Sequence, residues 1–376
     1  MDKDIKHFVG LDVHQDTIVV AVADPGRSKA RIVGELKHDM TRLVRQLSKL
    51  HGDPGSIHVV YEAGPTGYGL QRHLEQKGYV CDVIAPSKMP QRPGERIKTD
   101  RRDAARLAEL NRAGELTVVH VPDTADEAIR DLSRAREDAV KACQKARLQL
   151  KGFLLRHDRR FPGKTSWTKT HYAWLAAQKF EHVSQQIAFT EYQLAVQATE
   201  QSVQRLTHSL AECVVGWRFE PVVKALQAMR GIQLVTAVGL IAEIGDITRF
   251  AHPRQLMGYL GVVPSEYSSG NKVSKGSITR TGNGHARRLL VEAAWHYRHT
   301  PRIGVDPAVR QRGLPDAIKA QAWKAQTRLC GRFARLNNRG VQRNKICVAV
   351  ARELAGFVWA IAHMAMEPQN APKQPS

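Results

Sequence analysis

Residues 8–23 read FVGLDVHQDTIVVAVA, and this stretch decides the fold of the amino-terminal part of the chain. Two apolar runs rich in β-branched residues, FVGLDV and TIVVAVA, are separated by His14, Gln15 and Asp16. Apolar runs of this length on either side of a short polar segment are typical of a β-hairpin. RIVGEL at residues 31–36 resembles a further strand. The sequence therefore predicts three consecutive strands at the start of the chain.

Helices and strands alternate after this hairpin. Apolar residues at helical spacing follow Asp39, which predicts a helix capped by that aspartate. IHVVYEA at residues 57–63 has the composition of a buried strand. A short helix is predicted at residues 68–77, and YVCDVIA at residues 79–85 is typical of another strand.

A basic loop and one more helix complete this pattern. Prolines, a glycine and basic residues occupy residues 86–98, which predicts an extended, mobile loop. Thr99 is a suitable N-cap for a helix that ends at Gly114. The order three strands, helix, strand, helix, strand, helix predicts an α/β domain over residues 1–122.

The chain carries a large excess of positive charge. Among its 376 residues, 57 Lys and Arg stand against 36 Asp and Glu, so the formal net charge is +21 and the pI is about 10.0. Such an excess indicates a polyanionic partner. The hydrophobic fraction of 42% is that of a globular protein, which argues against the disordered and collagen-like classes.

Nothing in the sequence favours a membrane or secreted protein. The start MDKDIKHFVGLDVH lacks the features of a secretory signal, so we expect a cytoplasmic location. Arg352, Glu353 and His363 interrupt the apolar stretch 346–366, which therefore predicts a core helix. Five cysteines without a C-x-x-C pair indicate neither a disulfide framework nor a zinc site.

Long amphipathic helices are predicted from residue 123 onward. In the second of them, residues at steps of three and four form a heptad seam: Phe189, Tyr192, Val196, Thr199, Val203, Leu206 and Leu210. This seam predicts a coiled-coil hairpin within residues 123–220, and the commonest use of such a hairpin is self-association. The alternative is a helix packed on its own domain.

A mainly α-helical second globular unit is predicted over residues 221–366, followed by a disordered tail at residues 367–376. Within this unit the turn at Gly231 resembles a helix-hairpin-helix, a device that binds nucleic-acid backbones. Gln233 replaces the second glycine of that motif, so we expect a structural role for the turn. A loop rich in glycine and serine then leads into a basic helix.

Four carboxylates lie at the ends of predicted strands or in the first turn of the third predicted helix, and they are candidates for a catalytic site. Asp12 ends the first strand, Glu62 ends the fourth, and Asp100 and Asp103 lie one helical turn apart. If they converge, like charges raise one another's pKa, and a divalent metal relieves the repulsion. Oxygen ligands of this kind suit Mg²⁺ or Mn²⁺ in phosphodiester chemistry.

Each acid also has an ordinary interpretation. Asp12 fits a strand-end turn residue, and Asp100 and Asp103 fit surface acids paired with neighbouring arginines. The opening G-L-D also begins the phosphate loop of sugar kinases and actin-like ATPases. Here Val13 and His14 follow instead of a Gly-Thr turn, which argues against an ATP site.

Several motifs together carry a family resemblance. GLDVHQDT, VYEAGPTGYGL, KTDRRDAARLA and, downstream, YLGVVPSEYSSGNK and GNGHARRLLVEAA resemble the DEDD transposases of the insertion-sequence one-ten family. The resemblance spans residues 7–330. It implies a first domain similar to the RuvC Holliday-junction resolvase, with an RNase H-like fold.

The resemblance also implies the site residues. It assigns the four family acids, and with them the Mg²⁺ or Mn²⁺ ligands, to Asp12, Glu62, Asp100 and Asp103. The proposed family nucleophile is the serine that precedes glycine in the downstream motif, which is Ser269 here. Ser268 is adjacent and chemically identical, and both serines also fit an ordinary polar loop.

The partners implied by the resemblance are double-stranded DNA, comprising element ends and target, and a structured non-coding guide RNA from the element. A dimer or tetramer with composite sites is implied as well. The expected setting is the bacterial cytoplasm, in association with the nucleoid.

Two basic clusters are candidates for nucleic-acid contact. Lys275, Arg280, Arg287 and Arg288 surround Gly282-Asn283-Gly284 at the start of a predicted helix, where phosphate contacts are common. A solvated basic helix is the alternative.

The second cluster is RRFPGKTSWTKTHYAW at residues 159–174, which interleaves Lys164 and Lys169 with aromatic residues such as Trp167. This mixture suits stacking on unpaired bases. It equally suits aromatic residues that pack between helices.

These observations lead to one expected function and two alternatives. The expected function is a transposase or site-specific recombinase that exchanges DNA strands with a metal-bound acidic cluster and a serine nucleophile. One alternative is a structure-selective, metal-dependent nuclease that hydrolyses junctions. The other is a catalytically inactive nucleic-acid-binding scaffold.

Overall fold

A computed structural model describes residues 4–89, 99–269 and 274–366, and the chain divides into two compact units after Pro122. The expected basic loop lies mostly outside the described residues, and so does the expected disordered tail.

The first unit is built on a five-stranded sheet in the order β3-β2-β1-β4-β5. Its elements are β1 (His7–Val13), β2 (Thr17–Ala23), β3 (Arg31–Lys37), α1 (Met40–Ser48), β4 (Ile57–Glu62), α2 (Gly69–Gln76), β5 (Val80–Ile84) and α3 (Asp100–Ala113). The first three strands are antiparallel, whereas β4 and β5 run parallel to β1. The predicted element order is confirmed, and the mixed α/β architecture is consistent with the RNase H-like fold.

Helices cover both faces of this sheet. One face packs Val9, Leu11 and their neighbours against leucines of α1 and α2. On the opposite face, Val19 and Ala21 pack against Ala104 of α3. Because strand residues alternate between faces and both faces are covered, six of the seven positions in β2 and the three central positions of β1 are buried.

Gly10 sets how closely α3 approaches the sheet. A Cβ at this position would lie 2.3 Å from the carbonyl oxygen of Ala104 and 2.4 Å from the amide nitrogen of Ala108. Only glycine permits such an approach of a helix backbone to a strand. The first turn of α3 is therefore held close to the end of β1.

Local capping signals mark the helix ends as the sequence predicted. The Asp39 carboxylate accepts hydrogen bonds from the amides of Thr41 and Arg42 at the start of α1. Thr99 caps α3, and Gly114 ends it in the left-handed conformation with φ of 69°.

The second unit is mainly helical. Its helices are α4 (Thr124–Arg156), α5 (Lys169–Ala176), α6 (Val183–Cys213), α7 (Glu220–Leu226), α8 (Leu234–Ile244), α9 (Pro253–Tyr259), α10 (Gly284–Ala294), α11 (Val305–Arg310), α12 (Asp316–Asn338) and α13 (Arg343–Met366). A short antiparallel hairpin, β6 (Pro264–Glu266) and β7 (Lys275–Ile278), stands between α9 and α10.

The heptad seam of α6 faces α4 of the same chain. Phe189, Val196 and Leu210 on this seam are buried. The Arg147 guanidinium of α4 donates to Glu200 of α6 at 2.6 Å. The structure thus has the helix packed within its own unit, and a coiled coil that joins two chains stays a prediction.

Helix α13 lies in the main core of the second unit. Ile346, Val350 and Leu354 are fully buried there. By length and composition it is the one helix among the described residues that could cross a membrane, but more than half of its apolar window is buried. This burial supports the expected core helix.

Candidate functional site

Asp12 and Glu62 lie at the carboxyl ends of two neighbouring parallel strands. Leu11 of β1 pairs with Tyr61 of β4, so the two acids follow side by side at the same edge of the sheet. Side chains alternate along a strand, which places Asp12 on the same face as Gly10, the face that α3 covers. The two acids therefore point towards the side of the sheet that carries α3.

The first turn of α3 brings the other two acids to this face. Asp100 and Asp103 are in the first turn, and Ala104 and Leu107 on the same side of the helix are buried against the sheet. Asp100 is exposed and Asp103 is half-buried.

His14 joins this acidic cluster, which the sequence reasoning did not foresee. Its Nε2 lies 3.3 Å from Oδ2 of Asp12 and 3.7 Å from Oδ1 of Asp100. One potential ligand atom from each of these three residues lies within 4.8 Å of the others. The available signal was the spacing Asp12-Val13-His14, since residues two apart at a strand end share a face.

The electrostatics of the cluster favour a cation. Burial raises the pKa of Asp12, and the negative charges of Asp100 and Asp103 raise it further, although His14 opposes them by charge and hydrogen bonding. A carboxylate whose pKa is raised by neighbouring negative charges is stabilised as an anion by a positive ion placed beside it.

The donor set fits a divalent metal. In an octahedral Mg²⁺ site with ligands at about 2.0–2.1 Å, neighbouring ligand atoms are about 3 Å apart, within reach of the observed spacing. Carboxylate oxygens suit Mg²⁺ and Mn²⁺, and Mn²⁺ also accepts an imidazole nitrogen more readily. Among the four predicted acids, Asp12 and Asp100 have oxygens in this close group, whereas Glu62 and Asp103 are not part of it.

The serine-rich segment forms the hairpin of β6 and β7 in the second unit. The hydroxyl of Ser268 donates to Glu266 at 2.8 Å, and that of Ser265 donates to the carbonyl of Ser277 at 3.1 Å. Ser269 is exposed at the end of the β6 arm, and Gly270 lies outside the described residues. Both adjacent candidates are exposed, and they differ in that the Ser268 hydroxyl is bonded to a carboxylate.

Of the basic residues around the start of α10, two are exposed to solvent and two are bonded to other protein groups. Lys275 and Arg280 are exposed. Arg287 donates to the carbonyls of residues 260 and 281 at 2.8 and 3.0 Å, and burial, followed by the nearby charge of Arg280, lowers its pKa. Arg288 forms ion pairs with Glu137 and with another glutamate of α10. Phosphate contact by Arg287 or Arg288 would compete with these bonds.

The aromatic cluster before α5 shows a similar division. Trp167 is half-buried, with the guanidinium of Arg147 4.8 Å from the centre of its ring, and it also contacts His171. Lys164 and Lys169 are exposed. Trp167 thus packs between helices, which was the alternative considered for it, and the two lysines keep their side chains in solvent.

Comparison with known proteins gives two family matches. Residues 9–157 match a family model of DEDD transposases of IS110, described as transposase, and residues 223–311 match one described as Transposase IS116/IS110/IS902 family. Together they include the acidic cluster and the serine hairpin.

Relatives extend the similarity over nearly the whole chain. The y4qE protein of Sinorhizobium fredii is 45% identical over 361 residues, covering 96% of this chain and 89% of the relative. The transposase for insertion sequence element IS1533 of Leptospira borgpetersenii is 30% identical, covering 88% of this chain and 96% of the relative. The transposase for insertion sequence element IS1328 of Yersinia enterocolitica is 26% identical, with 73% and 82% covered.

Proposed function

Because this chain belongs to the IS110/IS116 family of transposases, we propose that it is a DNA recombinase in which an acidic cluster holds a divalent metal and Ser269 attacks DNA. The resemblance seen in the sequence motifs is confirmed at the level of the family, and transposases bind DNA. The observation that carries the proposal is the convergence of Asp12, His14 and Asp100 at one edge of the sheet.

In this proposal the four acids hold Mg²⁺ or Mn²⁺, with Asp12 and Asp100 as primary ligands. These residues would hold the ion, which would supply Lewis-acid activation of an attacking oxygen and stabilise charge on the leaving oxygen. The sheet and α3 fix the carboxylates before the ion arrives, since Gly10 holds the helix close. His14 orients Asp12 through their hydrogen bond.

Ser269 carries the strand transfer. Its Oγ forms a bond to phosphorus while the bond from phosphorus to the leaving deoxyribose oxygen breaks. The hydroxyl loses its proton and the leaving oxygen gains one, so one phosphodiester replaces another without net hydrolysis. Both serines are exposed, and the bond of the Ser268 hydroxyl to Glu266 is what supports this role for Ser269 over Ser268.

The partners follow from the family and from the charge. A net charge of +21 supports binding of DNA together with a structured guide RNA, and makes affinity steeply dependent on salt. We further propose a dimer or tetramer with composite sites, acting in the bacterial cytoplasm at the nucleoid. Lys164, Lys169, Lys275 and Arg280 are the candidate phosphate contacts that solvent reaches.

Two substitutions test the chemistry. Asp12→Asn and Ser269→Ala should each abolish excision while nucleic-acid binding is kept. Asp16→Asn, at an exposed acid of the same turn, and Ser268→Ala are the matched controls and should stay active. Full excision by either of the first two variants would contradict the assigned roles. Activity restored by mixing them would support composite sites.

A covalent adduct separates the proposal from hydrolysis. Denaturation during the reaction should trap DNA joined to the protein in the wild type and not in Ser269→Ala. A wild type that cuts DNA without any adduct would instead be the metal-dependent nuclease. Calorimetry with Mn²⁺ separates both enzymes from an inactive scaffold, which should bind RNA and no metal.

A further inference from the structure

A groove of about 710 Å³ lies between the β6–β7 hairpin and the last two helices of the second unit. We call it the cationic groove. None of the described residues in its lining is acidic. Four basic side chains line it: Arg280, Arg332, Lys345 and Arg352. The hairpin that forms one wall is the same one that carries Ser269.

Three of these cations are available to a ligand. The Nε of Arg332 lies 2.9 Å from Oε1 of Glu353, so this arginine is already paired. Arg280, Lys345 and Arg352 form no ion pair with a carboxylate in the described part of the chain. Unpaired cations with no acid among the groove's described lining residues raise the local positive potential, which attracts an anionic ligand.

The groove also has an apolar floor. Val348 and Ala349 lie between Lys345 and Arg352 on one stripe of α13, and Ile278 faces them from the hairpin. A floor of this kind beneath a cationic rim suits a ligand with both apolar rings and phosphates. Its volume is that of a pocket for a drug-sized molecule, which accommodates a nucleotide or two and is too small for a duplex.

Both strands of the hairpin contribute to this side of the groove, Pro264 from β6 and residues 276–278 from β7. A Cβ on Gly276, which lines the groove, would lie 2.4 Å from the hydroxyl of Ser265, so these two positions share a face. Tyr267 and Ser269 follow on the same arm, beyond the end of β6 at Glu266, and so lie within five residues of Pro264 in the groove wall.

Tyr267 is unusual among the aromatic residues because 82% of its surface is exposed. Its backbone amide donates to the carbonyl of Ser274 at 2.9 Å, so the backbone at this position is held even though the ring is free. An exposed ring on a fixed backbone is a stacking platform for an unpaired base.

We propose that the cationic groove binds a single strand of DNA by its phosphates and lays it against Ser269, with Tyr267 stacked on a base beside the attacked phosphate. The proposal rests on the proposed function for the identity of Ser269 as nucleophile. Arg280, Lys345 and Arg352 hold the backbone, and the apolar floor receives sugar and base surfaces. Tyr267 is a positioning residue.

Binding can be measured without the reaction. The full chain with Ser269→Ala, in EDTA, is titrated into fluorescein-labelled oligothymidylate of about 12 nucleotides, a length within known single-strand site sizes. Adding Lys345→Gln and Arg352→Gln should weaken binding about tenfold or more. The slope of log affinity against log salt should fall by about 1.4, because each lost phosphate contact on a single strand removes about 0.7.

Matched variants keep the test specific. Lys145→Gln with Arg205→Gln removes the same charge from exposed positions of α4 and α6, and it should leave the affinity within about twofold. Arg352→Lys keeps the charge and should restore most of the binding. Tyr267→Leu should weaken binding about fivefold or more, and Tyr267→Trp should not, since stacking is worth about 1–3 kcal/mol per base.

Equal affinities of the groove and control variants for the DNA strand would overturn the proposal. So would a loss confined to duplex DNA, or to an RNA strand of matching sequence. None of these outcomes depends on the serine or on a metal. Failure of the proposed function itself would be seen separately, as excision or adduct formation by the Ser269→Ala chain.

Discussion

Replacing Gly10 by alanine should separate the two halves of the acidic cluster. The new Cβ would lie 2.3 Å from the Ala104 carbonyl oxygen and 2.4 Å from the Ala108 amide nitrogen, where ordinary contact begins at 3.4 Å. Both are backbone atoms of α3, so no side chain can turn aside, and the helix must move by about 1 Å. Overpacking of this kind costs about 1–3 kcal/mol.

The displaced helix carries Asp100 and Asp103 in its first turn. We therefore expect weaker Mn²⁺ binding by calorimetry as well as lower stability. With a urea slope of about 2 kcal/mol per molar, the unfolding midpoint of the first unit should fall by about 0.5–1.5 M. A shift of about 1 Å in reacting groups is also enough to cost about 100-fold in excision.

The chain offers internal controls for this measurement. All six tryptophans lie after residue 122, so tryptophan fluorescence follows the second unit, and far-ultraviolet circular dichroism also detects the first. The fluorescence midpoint should stay unchanged in Gly10→Ala. Gly34→Ala, in β3, meets no atom within 4 Å and should be nearly neutral. If Gly10→Ala resembles Gly34→Ala in both stability and metal affinity, the close approach of α3 does not position the cluster.

Three further predictions concern the second unit. Glu243→Ala should lower the free energy of unfolding of the second unit by about 3 kcal/mol, because the Glu243 side chain is 3% exposed and accepts hydrogen bonds from Arg134 and Asn283. Urea unfolding followed by tryptophan fluorescence measures this change, and an unchanged midpoint would refute the prediction. Burial raises the pKa of Glu243, but these hydrogen bonds and the charge of Arg134 lower it more, so the folded pKa lies below the ordinary value of a glutamate. Its stabilising effect should be present above that value and be lost as the pH falls through the lower folded pKa, and Glu243→Gln should not show this loss. Asp126→Ala should cost about 2 kcal/mol by the same assay, since it removes the acceptor of the buried Trp217 indole at 2.7 Å, and Asp126→Asn, which keeps an acceptor, should cost less.

The local pattern predicted the elements of the first unit well. Apolar runs, the cap at Asp39, the cap at Thr99 and the stop at Gly114 act within a few residues of the chain, and each is found in the structure. The third helix could also be oriented in advance, because Asp100 and Asp103 lie one turn apart. Signals of this range need no knowledge of the rest of the fold.

Side-chain partners were harder to predict. His14 looked like part of a turn, yet it contacts Asp12 and Asp100. Arg287 looked like a phosphate ligand, yet it bonds to two backbone carbonyls. In the sequence, Trp167 fits either stacking on a base or packing between helices; in the structure it packs on Arg147. The sequence shows which residues are charged, but it does not show which group each one contacts, because that group comes from a distant part of the chain.

The sequence alone determined the family, the order of strands and helices in the first unit, and the positions of the four acids along the chain. Only the tertiary structure decided that the α6 seam is covered by α4, that His14 joins the acids, and that a cationic groove opens beside the serine hairpin. The physical reason is range. Periodicity and capping are set by neighbours within one or two turns, but the burial of a seam or the pairing of a charge depends on atoms that meet only when distant segments pack together.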